Sequence, residues 1–273
     1  MNFVLFLKLY RIDVIFISFL LYIAGYSLNS DISLNSFIQA LFIAFFPFNF
    51  IYSINSWSDR DADKINKPDR VIPSSKISPN ACLMYCIFLF LLTLILSFTF
   101  FNMIFFYFNS ILLILGILYS IKPFYFKKNI FLSHLTMLFM YFTAMYSGSV
   151  ISSNSYSVNL IVILITVYLS FLIPLKDLTD TKGDEKIHSQ NWATIFGYKN
   201  IINISFYSFC ILSILTFSCY QLAIIEKYLF IIHCILTSLI IKNSDKKNIY
   251  KNILILIIIN LTIYTITKQF MLK

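Results

Sequence analysis

Four carboxylates and four basic residues crowd into Asn55-Ser-Trp-Ser-Asp59-Arg-Asp-Ala-Asp63-Lys-Ile-Asn-Lys-Pro68-Asp-Arg70, in a chain of which only 12% is charged. Asn55, Asp59 and Asp63 recur at i, i+4 and i+8. On a continuous helix they project from roughly one face, drifting about 40° per step. Two carboxylates at i,i+4 repel by about 0.2–0.5 kcal/mol on an exposed helix, and by more where water is scarce, so such a pair needs a counter-ion. Oxygen donors select hard cations, and Mg²⁺ typically binds through one or two carboxylates together with substrate phosphates. A second cluster, Asp177-Leu-Thr-Asp180-Thr-Lys-Gly-Asp184-Glu185, repeats the i,i+4 spacing at Asp180 and Asp184, with Asp177 three residues earlier. Together the clusters hold eight of the twelve acids. A single charge run between apolar helices is ordinarily a solvated loop. Two with matching spacing, in separate halves of the chain, point to a pair of metal-ligating sites.

Basic residues accompany the acids. Arg60, Lys64, Lys67 and Arg70 surround the first cluster, Lys176, Lys182 and Lys186 the second, and Lys122, Lys127 and Lys128 lie between. Acids and bases together suit a polyanion held partly through metal and partly through direct ion pairs, and a diphosphate fits. Lys122 and Lys127 are equally suited to anchoring a membrane topology.

The elements that must position these residues are membrane helices. The chain has 273 residues, 59% hydrophobic and 18% aromatic, whereas a soluble domain carries about 25% charged residues. Uncharged runs cover Val14–Ser30, Ile32–Ser58, Ile77–Ile121 with a hairpin near Phe101-Asn102, and Asn129–Leu175 with its polar middle, Ser147 to Ser157, read as a turn. Three more spans follow at about 200–223, 228–241 and 252–267. The expectation is an all-α protein of nine transmembrane helices, one domain over residues 1–273, with charged loops at about 55–79 and 176–199. Lys8 and Arg11 precede the first run as in a signal peptide, but no A-x-A site follows, so the run reads as a retained helix.

Charge asymmetry supports this count. With the N-terminus in the cytoplasm, eighteen of the twenty-one Lys and Arg residues fall on the cytoplasmic face, as the positive-inside rule requires. Both acidic clusters are then cytoplasmic and the C-terminus is outside. The net charge of +9 follows from topology, without nucleic acid. The cysteines Cys82, Cys86, Cys210, Cys219 and Cys234 lie in apolar runs and read as small hydrophobes. His134 and His233 read as satisfied helix residues, and His188 as a solvated loop residue.

At these residues the sequence resembles the UbiA-type intramembrane prenyltransferases. Asn55, Asp59 and Asp63 are similar to their N-x-x-x-D-x-x-x-D signature, with the tail Asn66 to Ser74. Asp177, Asp180 and Asp184 are similar to D-x-x-D-x-x-x-D, followed by Thr194 to Gly197. The segment from Tyr119 and Ser120 through Pro123 to Lys127 and Lys128 is similar to the family's Tyr-Ser…Pro…Lys segment. The resemblance implies a helical bundle around a central cavity, with Mg²⁺ on a prenyl diphosphate donor. Asn55, Asp59, Asp63, Asp180 and Asp184 would bind the metal. Arg70 and Lys127 would contact the diphosphate, and Tyr119, Ser120, Lys176 and Asp177 would line the site. Ser56, Val71, Ser75, Ala193 and His134 depart from the family's usual residues, and the departures bear on the acceptor.

The expected reaction is Mg²⁺-dependent transfer of a prenyl group from its diphosphate to a small acceptor, aromatic or glycerol-phosphate, within the membrane lipid. An intramembrane terpene cyclase or a phosphoribosyl transferase of the same fold is the alternative. A transporter would need ionisable residues along a path through the bilayer, and the apolar runs hold almost none.

Overall fold

The computed structural model describes residues 9, 11–178, 191–220, 222–243 and 248–271, with backbone alone at 13, 176, 250 and 271. Nine principal helices are described: α1 (Ile12–Tyr26), α2 (Leu34–Ser58), α3 (Pro79–Phe100), α4 (Met103–Ser120), α5 (Ile130–Ser153), α6 (Leu160–Ser170), α7 (Trp192–Ser218), α8 (Ile224–Asn243) and α9 (Ile249–Met271). Seven are long and apolar enough to cross a membrane, while α1 and α6 are shorter apolar helices. The nine expected spans therefore appear as seven long helices and two short ones. Short turns of helix at Arg60–Asn66, Phe126–Lys128 and Ile173–Asp177 lie beside the long ones.

Polar caps set many of the boundaries. Ser33, Ser78, Asn102, Asn129, Asn159 and Asn191 each accept a hydrogen bond from a first-turn N–H of the helix that follows, satisfying donors that a helix start otherwise leaves orphaned. The α3–α4 hairpin falls at Phe101-Asn102, as the sequence suggests. Within α2, Pro47 lacks the N–H needed for a regular turn, and the helix carries one widened π-type turn at Ala44–Phe48.

Helix α3 buries mostly small side chains. Its buried face carries Cys82, Cys86, Leu89, Thr93 and Ser97, whereas Met84, Ile87, Phe88, Leu91, Ile95 and Phe98 are exposed. Lipid rewards large apolar side chains outside and small or weakly polar ones at contacts between helices. Many buried hydroxyls bond to carbonyls of their own helix, as Thr93 does to Leu89 at 2.6 Å.

The polar run in α5 corrects one expectation. Ser147–Ser153 continues the helix, and the break comes only at Asn154, whose φ of 53° a short polar side chain tolerates. These small residues make a close crossing with α1. A Cβ on Gly25 would overlap the Met145 carbonyl, and one on Gly148 would overlap the Tyr22 carbonyl. Asn29 donates to the Ser149 carbonyl at 3.2 Å beside it. At the ends of the bundle, α9 packs on α1, where the Ile32 N–H donates to Gln269 Oε1 at 2.9 Å.

Beyond the turn of helix at Arg60–Asn66 the chain folds back through a compact loop. The Ser74 N–H donates to the Arg70 carbonyl at 2.9 Å and the Ile77 N–H to the Val71 carbonyl at 3.0 Å. Ser75 closes this loop at φ 59°, a left-handed conformation that glycine adopts without penalty.

Two outcomes follow. Gly25→Ala and Gly148→Ala should each destabilise the protein by about 1–3 kcal/mol, read as a lower thermal midpoint in detergent. Ser75→Gly should raise that midpoint, by about 0.5–1 kcal/mol of stability.

Candidate active site

The first acidic cluster rests on helical continuity. α2 ends at Ser58, but the Asp59 N–H donates to the Asn55 carbonyl and the Asp63 N–H to the Asp59 carbonyl, both at 2.8 Å. These i→i−4 bonds bridge α2 to the turn at Arg60–Asn66, so Asn55, Asp59 and Asp63 share one face, as their spacing requires. Asn55 Nδ2 donates to Asp59 Oδ2 at 2.8 Å. That leaves Asn55 Oδ1 buried, with no hydrogen-bond partner among the described residues.

A base sits on each acid. Lys127 Nζ lies 2.5 Å from Asp59 Oδ1, and its side chain is 9% exposed. Arg70 Nη1 lies 2.5 Å from Asp63 Oδ2, with the Asp63 side chain 6% exposed. Burial raises the Asp63 carboxyl above the usual carboxylate range, the Arg70 guanidinium beside it pulls the other way, and the charge on Asp59 adds to the rise. One guanidinium therefore does not fully compensate this carboxylate. Two carboxylates one turn apart, flanked by an unpartnered amide oxygen, make a donor set that fits a hard divalent cation.

Residues distant in sequence converge here. Tyr119, in the last turn of α4, is hydrogen-bonded with Ser133 at the start of α5 and interacts electrostatically with Asp59, Lys127 and Asp177. Thus residues from the ends of α2 and α4, the loop before α5 and the short helix Ile173–Asp177 meet at one end of the bundle. Lys127 reaches this point through Tyr125, which adopts φ 45° and places its ring 4.8 Å from Lys127 Nζ. Trp192, at the start of α7, stands edge-on to His134 on α5 with ring centroids 5.6 Å apart.

Of the residues singled out by sequence, Asn55, Asp59, Asp63, Arg70, Tyr119, Lys127 and Asp177 are brought together. Ser120 is fully buried beside them, its hydroxyl without a partner among the described residues. Asp180, Asp184 and His188 lie outside the described residues, and Lys176 is placed by its backbone alone. Among the described residues no three His, Cys, Asp or Glu side chains cluster closely enough to hold a metal ion. The first cluster therefore supplies two acids and an amide, and a fuller set requires the second. His134 departs from its reading as a satisfied helix residue, because its Nδ1 is buried without a partner among the described residues. His233 is hydrogen-bonded with Asn260 but leaves Nδ1 unpartnered in the same sense.

Sequence reasoning missed Ser58 and Ser133. Ser58 Oγ accepts from Lys127 at 2.9 Å and donates to the Ser120 carbonyl at 2.6 Å, tying α2, α4 and the basic loop together. A serine next to a motif acid carries no periodic signal of its own.

Residues 14–251 match the sequence profile of the UbiA prenyltransferase family. A digeranylgeranylglyceryl phosphate synthase of Methanosphaera stadtmanae is 32% identical over 248 residues, 85% of each chain. The chloroplastic 2-acylphloroglucinol 4-prenyltransferase of Humulus lupulus is 30% identical over 165 residues, 54% of this chain and 38% of its own length. Among solved structures, a UbiA homologue from Archaeoglobus fulgidus bound to GPP and Mg²⁺ superposes with a TM-score of 0.77 at 20% identity, over 97% of this chain and 99% of that one. The apolar helical bundle, the converging acids and bases and the match along most of the chain lead to one assignment: the chain belongs to the UbiA prenyltransferase family.

Proposed function

We propose that the chain transfers a polyprenyl group from its diphosphate, in an Mg²⁺-dependent reaction within the membrane, to a hydroxyl of a glycerol-phosphate lipid precursor. The observation that carries the reading is the pair of in-line carboxylates at the end of α2, each seated on a base from a different loop, Asp59 on Lys127 and Asp63 on Arg70. The glycerol-phosphate acceptor is supported by the relative from Methanosphaera stadtmanae, aligned over most of both chains.

Asn55, Asp59 and Asp63 would hold the metal on one side of the diphosphate, and Asp180 and Asp184 on the other. When bound, Mg²⁺ neutralises charge that develops on the departing diphosphate. The chain's own bases do the same work directly. Lys127 and Arg70, seated on Asp59 and Asp63, would pass to diphosphate oxygens where the acids hold the cation. Each base trades one anion for another, and a charge-assisted bond is kept throughout. Tyr119 lies near these groups, and its ring would offer a π face to positive charge developing on the allylic group. Ser120, Lys176 and Asp177 line the site, and the apolar helices exclude water from the cation. The charge asymmetry supports a cytoplasmic site, an N-terminus inside and a C-terminus outside.

An aromatic acceptor is a second reading, favoured by the relative from Humulus lupulus. Membranes carrying the protein, supplied with labelled geranylgeranyl diphosphate and either a geranylgeranylglyceryl phosphate or a phenolic acceptor, distinguish the two. Turnover with the glyceryl phosphate alone is the expected outcome, and turnover with the phenol alone overturns the acceptor assignment. Chelation of Mg²⁺ should stop the reaction. Asp59→Ala and Asp180→Ala should each lower kcat by at least about a hundredfold, the scale on which loss of transition-state charge stabilisation is felt.

A further inference from the structure

A cavity adjoins the site on the other flank of the same helix. It has a volume of about 440 Å³, and its walls include Trp57, Ser58 and Arg60 on one side and Ser120, Lys122 and Lys128 on the other. At about 100° per residue, Trp57 points away from the face that carries Asn55, Asp59 and Asp63. The cavity thus lies off the line of the acids, at the same end of the bundle.

Its chemistry is that of an anion site at a membrane boundary. Arg60 lies over the Trp57 ring at 4.9 Å and Lys128 over the Tyr125 ring at 5.5 Å. Among the described residues, no carboxylate forms an ion pair with Arg60, Lys122 or Lys128, and Asp61, the acid on the cavity wall, is paired with Lys64 at 3.0 Å. Ser120 also lies on the wall, where its carbonyl accepts from Ser58 Oγ at 2.6 Å. Three cations and two amphipathic rings suit a phosphate whose carrier is apolar.

We propose that this cavity binds the phosphate group of a membrane-borne lipid. The phosphate has two sources: the phosphomonoester of the acceptor, a form that rests on the glycerol-phosphate reading above, or the headgroup of an anionic bilayer lipid. Either occupant is coupled to the diphosphate site through Ser58, which lies on the cavity wall and is bonded to both Lys127 and the Ser120 carbonyl.

The test uses the full chain with Arg60→Gln and with the double variant Lys122→Gln/Lys128→Gln. Each protein is titrated in detergent with dodecyl phosphate, then assayed in vesicles of phosphatidylcholine with and without phosphatidylglycerol. Removing cations that bind a phosphate should weaken dodecyl phosphate binding by about tenfold, with the KM for the prenyl diphosphate unchanged. If the acceptor's phosphate is the occupant, the KM for the glyceryl phosphate rises by a similar factor in both kinds of vesicle. If a bilayer lipid is the occupant, that KM holds and the variants lose any stimulation by phosphatidylglycerol. Unchanged dodecyl phosphate binding, or a rise in the prenyl diphosphate KM alone, overturns the proposal. Failure of the wild-type protein to use the glyceryl phosphate overturns the acceptor reading instead, and leaves the binding and vesicle measurements to decide the cavity.

Discussion

The structure depends on a helix that does not stop at the membrane surface. Two backbone hydrogen bonds, from Asp59 to Asn55 and from Asp63 to Asp59, carry α2 past its apolar span and bring two carboxylates out in line. Those charges then dictate their surroundings. Lys127 is drawn in from the loop after α4 and Arg70 from the loop after the acids, because an unpaired carboxylate at this depth would be costly. The Arg70 pair acts together with Val71, Ile72 and Ile77, which its loop buries in the core.

Compensation stops short of completion, and this is what separates a binding site from a structural staple. Glu226 at the opposite end of the chain's second half shows the contrast. It is ion-paired with Lys268 at 2.5 Å and receives Tyr264 at 3.4 Å, a closed arrangement that joins α8 to α9. At the candidate site, by contrast, Asn55 Oδ1 and the Ser120 hydroxyl are left over, and Asp63 remains harder to ionise than an aspartate in water. Buried groups left unsatisfied in this way cost free energy in the empty protein, which a bound ligand recovers.

The acids were legible because their spacing matches the helix period and their charge stands out in an apolar chain. The hairpin at Phe101-Asn102 was legible because Asn102 is a good cap. The stretch Ser147–Ser153 was misread for a physical reason: Gly and Ser mark turns where water competes for the backbone, whereas between membrane helices they mark close approach. Gly148 against the Tyr22 carbonyl shows this directly. Ser58 and Ser133 were invisible because a hydroxyl gains its role only from what the fold sets opposite it. Ser75 is among the departures from the family's usual residues, and its positive φ marks a position that glycine would hold without strain.

The widened turn at Ala44–Phe48 has a bearing on how such a site changes over time. Such a turn accommodates one residue more than a regular one, so everything beyond it is rotated by about 100° relative to an unbroken helix. It acts as an index mark for α2, setting the angle at which Asn55, Asp59 and Asp63 emerge several turns later. Losing a single apolar residue deep in the bilayer would swing the acids off Lys127 while leaving every motif letter intact. A chain can therefore keep its signature and lose its aim, and the length of this greasy segment is as much part of the site as the carboxylates.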